Sequence, residues 1–254
     1  QVTYVSHSPY LLEARHFEQV RRLTRSADEA PVVTVHFTKV AEVKEKLDGV
    51  ISADKVDRQL DAMVSNELAG AIFSNRAFLV EGTTEASVFY GIGDRTAIGS
   101  LEAAGVSIVP VGGKTSIPLA HAILSLIGIP VYALFDADGG FETRAKSNGK
   151  SQEKIDEERK GHIASNRMVL NYFGRNEEDF PSAVVADEVA IFDDHLETFL
   201  SSNWAEWITA RSDVEAATGI SLAKNQLAYR IATLKAKGVA PEMLTQILAK
   251  AVGQ

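Results

Sequence analysis

Three stretches of the chain, 77–80, 106–111 and 131–135, are almost continuously apolar. Each is followed by residues whose apolar positions recur at helical spacing, over 85–91, 117–127 and 151–172. Strands without polar–apolar alternation are buried on both faces, and their alternation with helices predicts a parallel sheet covered on both sides. A fourth strand is expected within 184–192. Upstream, 2–6 reads as a short strand, and 19–23 and 32–37 as two more, split by a polar turn at 26–29. Val56, Leu60, Met63, Val64 and Leu68 mark a helix over about 53–71, with Ser52 in N-cap position. The polar, charged segment 139–161 reads as a loop or flap. From Leu196 onward the pattern is helical, broken at Gly219 and at Gly238-Val239-Ala240-Pro241. The fold class is α/β, a Rossmann-like parallel sheet flanked by helices, with additional helical segments.

With 254 residues, 45% of them hydrophobic, the chain can bury a large core. It has no apolar run long enough to span a bilayer and no secretory signal, which argues against a membrane partner. The lack of cysteine excludes disulfide scaffolds and thiolate metal sites and suits a cytoplasmic protein. Gln1 at the start suits a piece of a longer protein. The net charge of −8 argues at first against nucleic acid. Acids gathered around a metal would remove that objection, and the bases are clustered too, notably Arg144, Lys146, Lys150, Lys154, Arg159 and Lys160. Each basic cluster alone is equally a solvated face.

Ligands of an open parallel sheet bind at the carboxyl ends of its strands, and two of these strands end in acid. One runs Phe78-Leu79-Val80-Glu81-Gly82-Thr83-Thr84-Glu85, the other Leu134-Phe135-Asp136-Ala137-Asp138-Gly139-Gly140. In extended chain residues two apart face one side, so Asp136 and Asp138 can share a ligand. Glu81 ends its strand, and Glu85 falls in the first turn of the next helix. If the two strands are neighbours, these carboxylates converge, each raising the other's pKa, and a hard divalent cation relieves the repulsion. Singly, Glu85 is an ordinary first-turn acid and Asp136–Gly140 an ordinary turn. Jointly, they point to a metal site, and all-oxygen ligation selects Mg²⁺ or Mn²⁺.

At these residues the chain resembles the Toprim domain of topoisomerases, bacterial primases and OLD (overcoming-lysogenization-defect) nucleases. The carriers are Glu81 and Asp136-Ala137-Asp138, and the form Val80-Glu81-Gly82-Thr83-Thr84-Glu85 resembles the OLD nucleases in particular. Val5-Ser6-His7-Ser8-Pro9-Tyr10-Leu11-Leu12-Glu13 is similar to the switch-histidine loop that closes an ABC-type ATPase, the domain preceding Toprim in that family. The resemblance implies a metal-dependent DNA endonuclease with a two-metal mechanism, in phage defence or DNA repair. It further implies a helicase partner, a homo-oligomer in the full-length protein, and ATP acting only through an N-terminal part outside this sequence. The implied organisation is an ATPase remnant at 1–50, a helical connector at 51–75, the catalytic domain at 76–200 and a helical part completing the site at 201–254. The implied metal ligands are Glu81, Glu85, Asp136 and Asp138, with Glu197 as a further acid that is equally a surface residue opening a helix. Lys224 is the implied lysine at the scissile phosphate, against an equal case for a solvated side chain. Lys114, Arg144, Lys146 and Lys150 are candidates for contact with DNA.

Other chemistries fit less well. Gly112-Gly113-Lys114-Thr115 lies where a P-loop would, but the pattern needs glycine at Ile108. A haloacid-dehalogenase-type phosphatase would use Asp136 as nucleophile in its D-x-D-G. That family expects Thr or Val where Gly140 stands, and the Glu81 motif would go unexplained. A non-catalytic oligomerisation module built on the helices at 55–71 and 196–252 is a third reading. No feature marks Tyr10, Tyr90, Tyr132, Tyr172 or Tyr229 as a strand-passage nucleophile, so hydrolysis is preferred. His16, His36, His121, His162 and His195 lack zinc spacing and read as structural or surface residues.

Overall fold

The structure is a computed structural model that describes residues 3, 5, 6, 8–12, 14–62, 66–219 and 226–254. The strand expected at 2–6 and the switch-type His7 fall wholly or partly outside these residues, as do the middle of the 53–71 helix and Lys224.

A two-stranded ribbon, β1 (Arg22–Arg25) antiparallel to β2 (Val33–His36), precedes α1 (Val40–Lys46), α2 (Ala53–Ala62) and α3 (Asn66–Ala71). The central unit then runs β3 (Arg76–Val80), α4 (Thr83–Asp94), α5 (Ser100–Ala103), β4 (Val106–Pro110), α6 (Ile117–Leu126) and β5 (Val131–Asp136). It continues through α7 (Phe141–Ser147), α8 (Gln152–Tyr172), β6 (Val184–Val185) and β7 (Val189–Phe192). Four helices close the chain: α9 (Leu196–Asn203), α10 (Ala205–Thr218), α11 (Gln226–Lys235) and α12 (Glu242–Val252).

Among the described residues the main sheet has the order β4-β3-β5-β7-β6, parallel except for β6. The expected fourth strand is thus a pair, folded back at the polar Asp187-Glu188. Buried runs work here because both faces are covered, and the period of two divides them. Phe78, Val80, Tyr132, Leu134, Ala190 and Phe192 pack against α4 and the C-terminal helices, with Trp204, Trp207, Leu244 and Ile247. Ala77, Leu79, Ala133, Phe135, Val189 and Ile191 face α6 and α8, against Ile117, Leu124, Val169 and Leu170. The N-terminal helices add an outer layer on α6, where Val43, Leu47, Val56 and Leu60 meet Leu119 and Ile123. On the opposite side Arg230 of α11 grips Asp94 of α4 through two bonds of 2.6 and 2.8 Å, so the C-terminal helices are tied to the helix that carries Glu85.

The structure corrects the reading of 139–161 as a loop or flap. It forms α7 and the start of α8, with a turn at Gly149 between them. Phe141, Ala145 and Ile155 bury a small apolar cluster with Phe180. That anchorage holds two mostly polar helices in place.

Candidate active site

β3 and β5 are hydrogen-bonded neighbours, so the two acidic strand ends lie side by side. Glu81 follows the last residue of β3 and is held by backbone donors on both oxygens. Its Oε1 accepts the Asp136 N–H at 2.8 Å and its Oε2 accepts the Lys114 N–H at 3.0 Å. Burial pushes its carboxyl up from the ordinary glutamate range. Glu85, in the first turn of α4, is buried and accepts the Gly82 N–H at 2.9 Å, satisfying an end-of-helix donor. It therefore does the ordinary work of a first-turn acid while facing the other carboxylates. Burial, with the charges of Glu197 and Glu81, pushes it up to about 7.

Asp136 ends β5 at 8% exposure, and its Oδ1 is buried without a hydrogen-bond partner among the described residues. Burial and then the charges of Glu81, Glu85, Asp138 and Glu197 push its carboxyl well above the aspartate range. Asp138 sits in the left-handed backbone region at φ 59°, which aspartate tolerates better than most residues. It meets Lys114 Nζ at 2.7 Å, His162 Nδ1 at 3.1 Å and Arg144 Nη2 at 3.7 Å. Its burial acts upward, but the bonds and charges of His162 and Lys114 outweigh it and bring the carboxyl down to about 2.

The following glycines have a steric role. A Cβ on Gly139 would lie 2.7 Å from the Asp193 carbonyl, so only glycine lets this loop lie against the end of β7. The Gly139 N–H donates to that same carbonyl at 2.9 Å, and the Gly140 N–H to Asp194 Oδ1 at 3.1 Å. Asp194 is paired in turn with Arg144. Glu197 opens α9 from the next strand end; its charge acts on both Glu85 and Asp136, although it is more exposed.

Lys114, expected as a contact to DNA, lies inside the molecule at 7% exposure, in the 3₁₀ turn Lys114–Ser116. Lys146 reaches Glu142 at 3.8 Å and Lys150 reaches Glu158 at 2.6 Å, both at the surface. Lys224 lies outside the described residues. Sequence reasoning missed His162 and Asn166. Asn166 is fully buried, bonded through Nδ2 to the carbonyls of Ala137 and Asp179. Its signal was available: Asn166 stands three and four residues before Val169 and Leu170, a polar residue on the buried stripe of α8.

The donor set fits a hard cation. An orphaned buried carboxylate oxygen and three carboxyls pushed up by burial are relieved by positive charge. Among the described residues no three or more Asp, Glu or His side chains are grouped closely enough to hold a metal ion as they stand.

Residues 72–138 match the family model described as overcoming lysogenization defect protein-like, TOPRIM domain. Over these residues the chain is similar to the OLD-like TOPRIM domain. The matched TOPRIM segment contains Glu81, Glu85, Lys114, Asp136 and Asp138, and stops short of Glu197. An OLD nuclease from Thermus scotoductus (strain ATCC 700910 / SA-01) is 27% identical over 177 residues, which is 66% of this chain and 30% of that protein. The chain thus spans less than a third of that relative's length. The C-terminal region of the Burkholderia pseudomallei OLD protein is similar to it with a TM-score of 0.43 and 15% identity, covering 69% of this chain and 96% of that one. No helix among the described residues is long and apolar enough to cross a membrane.

Proposed function

We propose that this chain is the nuclease part of an OLD-type protein and hydrolyses phosphodiester bonds in DNA with the help of Mg²⁺ or Mn²⁺. The observation that carries this reading is Asp136 Oδ1, a buried carboxylate oxygen with no hydrogen-bond partner among the described residues, set beside Glu81 on the adjoining strand. Glu81, Glu85 and Asp136 would hold one ion, with Asp138 and Glu197 toward a second. Bound there, such ions supply an activated water and offset charge on the phosphate and the leaving oxygen.

The chain's own residues do the rest. The Asp136 and Lys114 N–H groups fix both oxygens of Glu81, so its carboxylate is oriented before any ligand arrives. Burial and the neighbouring acids hold the ion-free Glu85 carboxyl up to about 7, so an arriving cation would displace its proton near neutral pH. Arg144, a third exposed and beside Asp138, is placed to meet a phosphate oxygen at the mouth of the site. Within this reading 76–200 forms the catalytic unit, 201–254 completes it with Lys224, and 1–50 is the end of an ATPase-like part.

The test is incubation of plasmid DNA with the chain in Mg²⁺, Mn²⁺ or EDTA, beside a Glu85→Ala variant. Cleavage that needs the metal and disappears in the variant is expected. Cleavage that persists in EDTA would end the metal reading, and cleavage that persists in the variant would remove Glu85 from the site. Turnover of a phosphomonoester without nicking would favour the phosphatase chemistry of Asp136.

A further inference from the structure

The Gly112-Gly113-Lys114 turn lacks the P-loop pattern, and the proposed chemistry uses only its Lys114 N–H, yet it is tied into both acidic strand ends. The Gly112 and Gly113 N–H groups each donate to the Glu81 carbonyl at 3.0 Å, and the Lys114 N–H donates to the Glu81 carboxylate. Such wrapping needs φ of 79° and 116° at the two glycines, which a residue with a Cβ resists. From this turn the Lys114 side chain crosses to β5. Its ammonium donates to Asp138 Oδ2 at 2.7 Å, to Asn166 Oδ1 at 2.9 Å and to the Asp136 carbonyl.

A lysine ammonium has three donors, and here all three have acceptors, the condition under which a buried cation is tolerated. Asn166 has no freedom in the matter. Both its amide donors are taken by carbonyls, so its oxygen must face Lys114. One of those carbonyls belongs to Ala137. Residues 136, 137 and 138 are therefore each held by Lys114, directly or through Asn166. A lysine serving DNA phosphates would stand in solvent, whereas this one is buried under Phe135, 5.9 Å from the ring centroid.

We propose that Lys114 is a positioning residue for the metal site: it fixes the D-x-D loop against Glu81 so that Asp136 Oδ1 is the oxygen left for a cation. The inference rests on the metal-dependent reading above. Its distinctive consequence is a sign. Removing a positive charge from a cluster of acids should, by charge alone, tighten the binding of a divalent cation. If Lys114 sets the geometry, its removal loosens binding instead, as loss of a supporting partner around a metal does.

The experiment is calorimetric titration of Mn²⁺ into the 254-residue chain, with the Mn²⁺ electron paramagnetic resonance spectrum recorded alongside. The proteins are wild type, Lys114→Met and Asn166→Ala. Affinity is expected to fall on the order of tenfold or more in both variants, with a changed Mn²⁺ spectrum. Asn166→Ala leaves the Lys114–Asp138 pair intact and carries the test should Lys114→Met fail to fold. Tighter or unchanged binding in a folded Lys114→Met, or unchanged binding in Asn166→Ala, overturns the proposal while the metal reading stands. Absence of Mn²⁺ binding in the wild type overturns both.

Discussion

Asp136 and Asp138 stand two residues apart on one loop, yet they belong to opposite halves of the site. On the side of Asp136 the neighbours are acids, Glu81, Glu85 and Glu197, and burial drives the carboxyls of Asp136, Glu81 and Glu85 up. On the side of Asp138 the neighbours are Lys114, His162 and Arg144, and the carboxyl is held down, as is Asp194 beside the same arginine. One half carries counter-charges of its own, so a second ion drawn to Asp138 would compete with Lys114, His162 and Arg144. The other has acids in excess and an oxygen with no hydrogen-bond partner among the described residues. The difference teaches where an external cation is wanted: a cluster of carboxylates is informative about metal binding only after the internal cations have been subtracted.

The change that strikes this contrast hardest is Asp136→Asn. It keeps the shape while removing the charge that the acid-rich half cannot compensate. Nuclease activity should fall on the order of a thousandfold, because several kcal/mol of charge stabilisation at the phosphate depend on the ion held there. In EDTA the same variant should melt higher than wild type, since a buried charge without a partner is destabilising. A variant that keeps its activity, or melts lower in EDTA, would show that Asp136 is satisfied in a way the contrast leaves out.

The two halves should also respond to pH with opposite signs. Glu85 titrates near 7 when folded, against an ordinary 4.5, so between those values the folded chain keeps a proton that the unfolded chain has released. Metal-free stability therefore falls as pH rises from about 4.5 to 7 and levels off above, by about 3 kcal/mol if Glu85 acted alone. Asp138, lowered from 3.8 to about 2, contributes stability that is complete above 3.8 and is lost as pH falls through 2. Melting temperatures in EDTA, taken from pH 2 to 8, should rise, pass a maximum and decline toward neutrality. Glu85→Gln should flatten the decline and leave the acid limb in place. An unaltered decline in that variant would assign the slope to other groups.

Much of this was legible in the chain, for reasons that differ by element. β3, β4 and β5 were readable because doubly covered strands must be apolar throughout, and their ends located Glu81 and Asp136 without further information. That β3 and β5 are neighbours was not readable, since order across a sheet is a matter of topology rather than composition, and the whole site depends on it. α7 was missed because only Phe141 and Ala145 face inward, too short a stripe to declare a helix. Lys114 looked like a surface base because a Gly-Gly-Lys turn after a strand is usually read through its backbone donors. Nothing local says that the side chain runs inward to Asp138. His162 lay hidden in a helix whose other charges are solvated, where its contacts with Asp138 and Phe141 come from the fold alone.

The smallest expected effect separates two lysines of equal charge. Lys150 is exposed and paired with Glu158 at 2.6 Å, where Lys114 is buried and triply bonded. An exposed ion pair is worth at most about 1 kcal/mol, so Lys150→Ala should leave the melting temperature almost unmoved. Its charge is nevertheless free to exchange Glu158 for a phosphate, because both partners stand in solvent and water screens what is lost. If α7 and the start of α8 follow a DNA backbone, each lysine that meets a phosphate adds about one unit to the slope of log affinity against log salt. Binding of duplex DNA by Lys150→Ala, measured from about 50 to 200 mM salt, should show that slope reduced by about one and no change in sequence preference. An unchanged slope would mean that the bases of this helical pair serve only their own acids, leaving Arg144 as the cation between the counter-charged half of the site and the substrate.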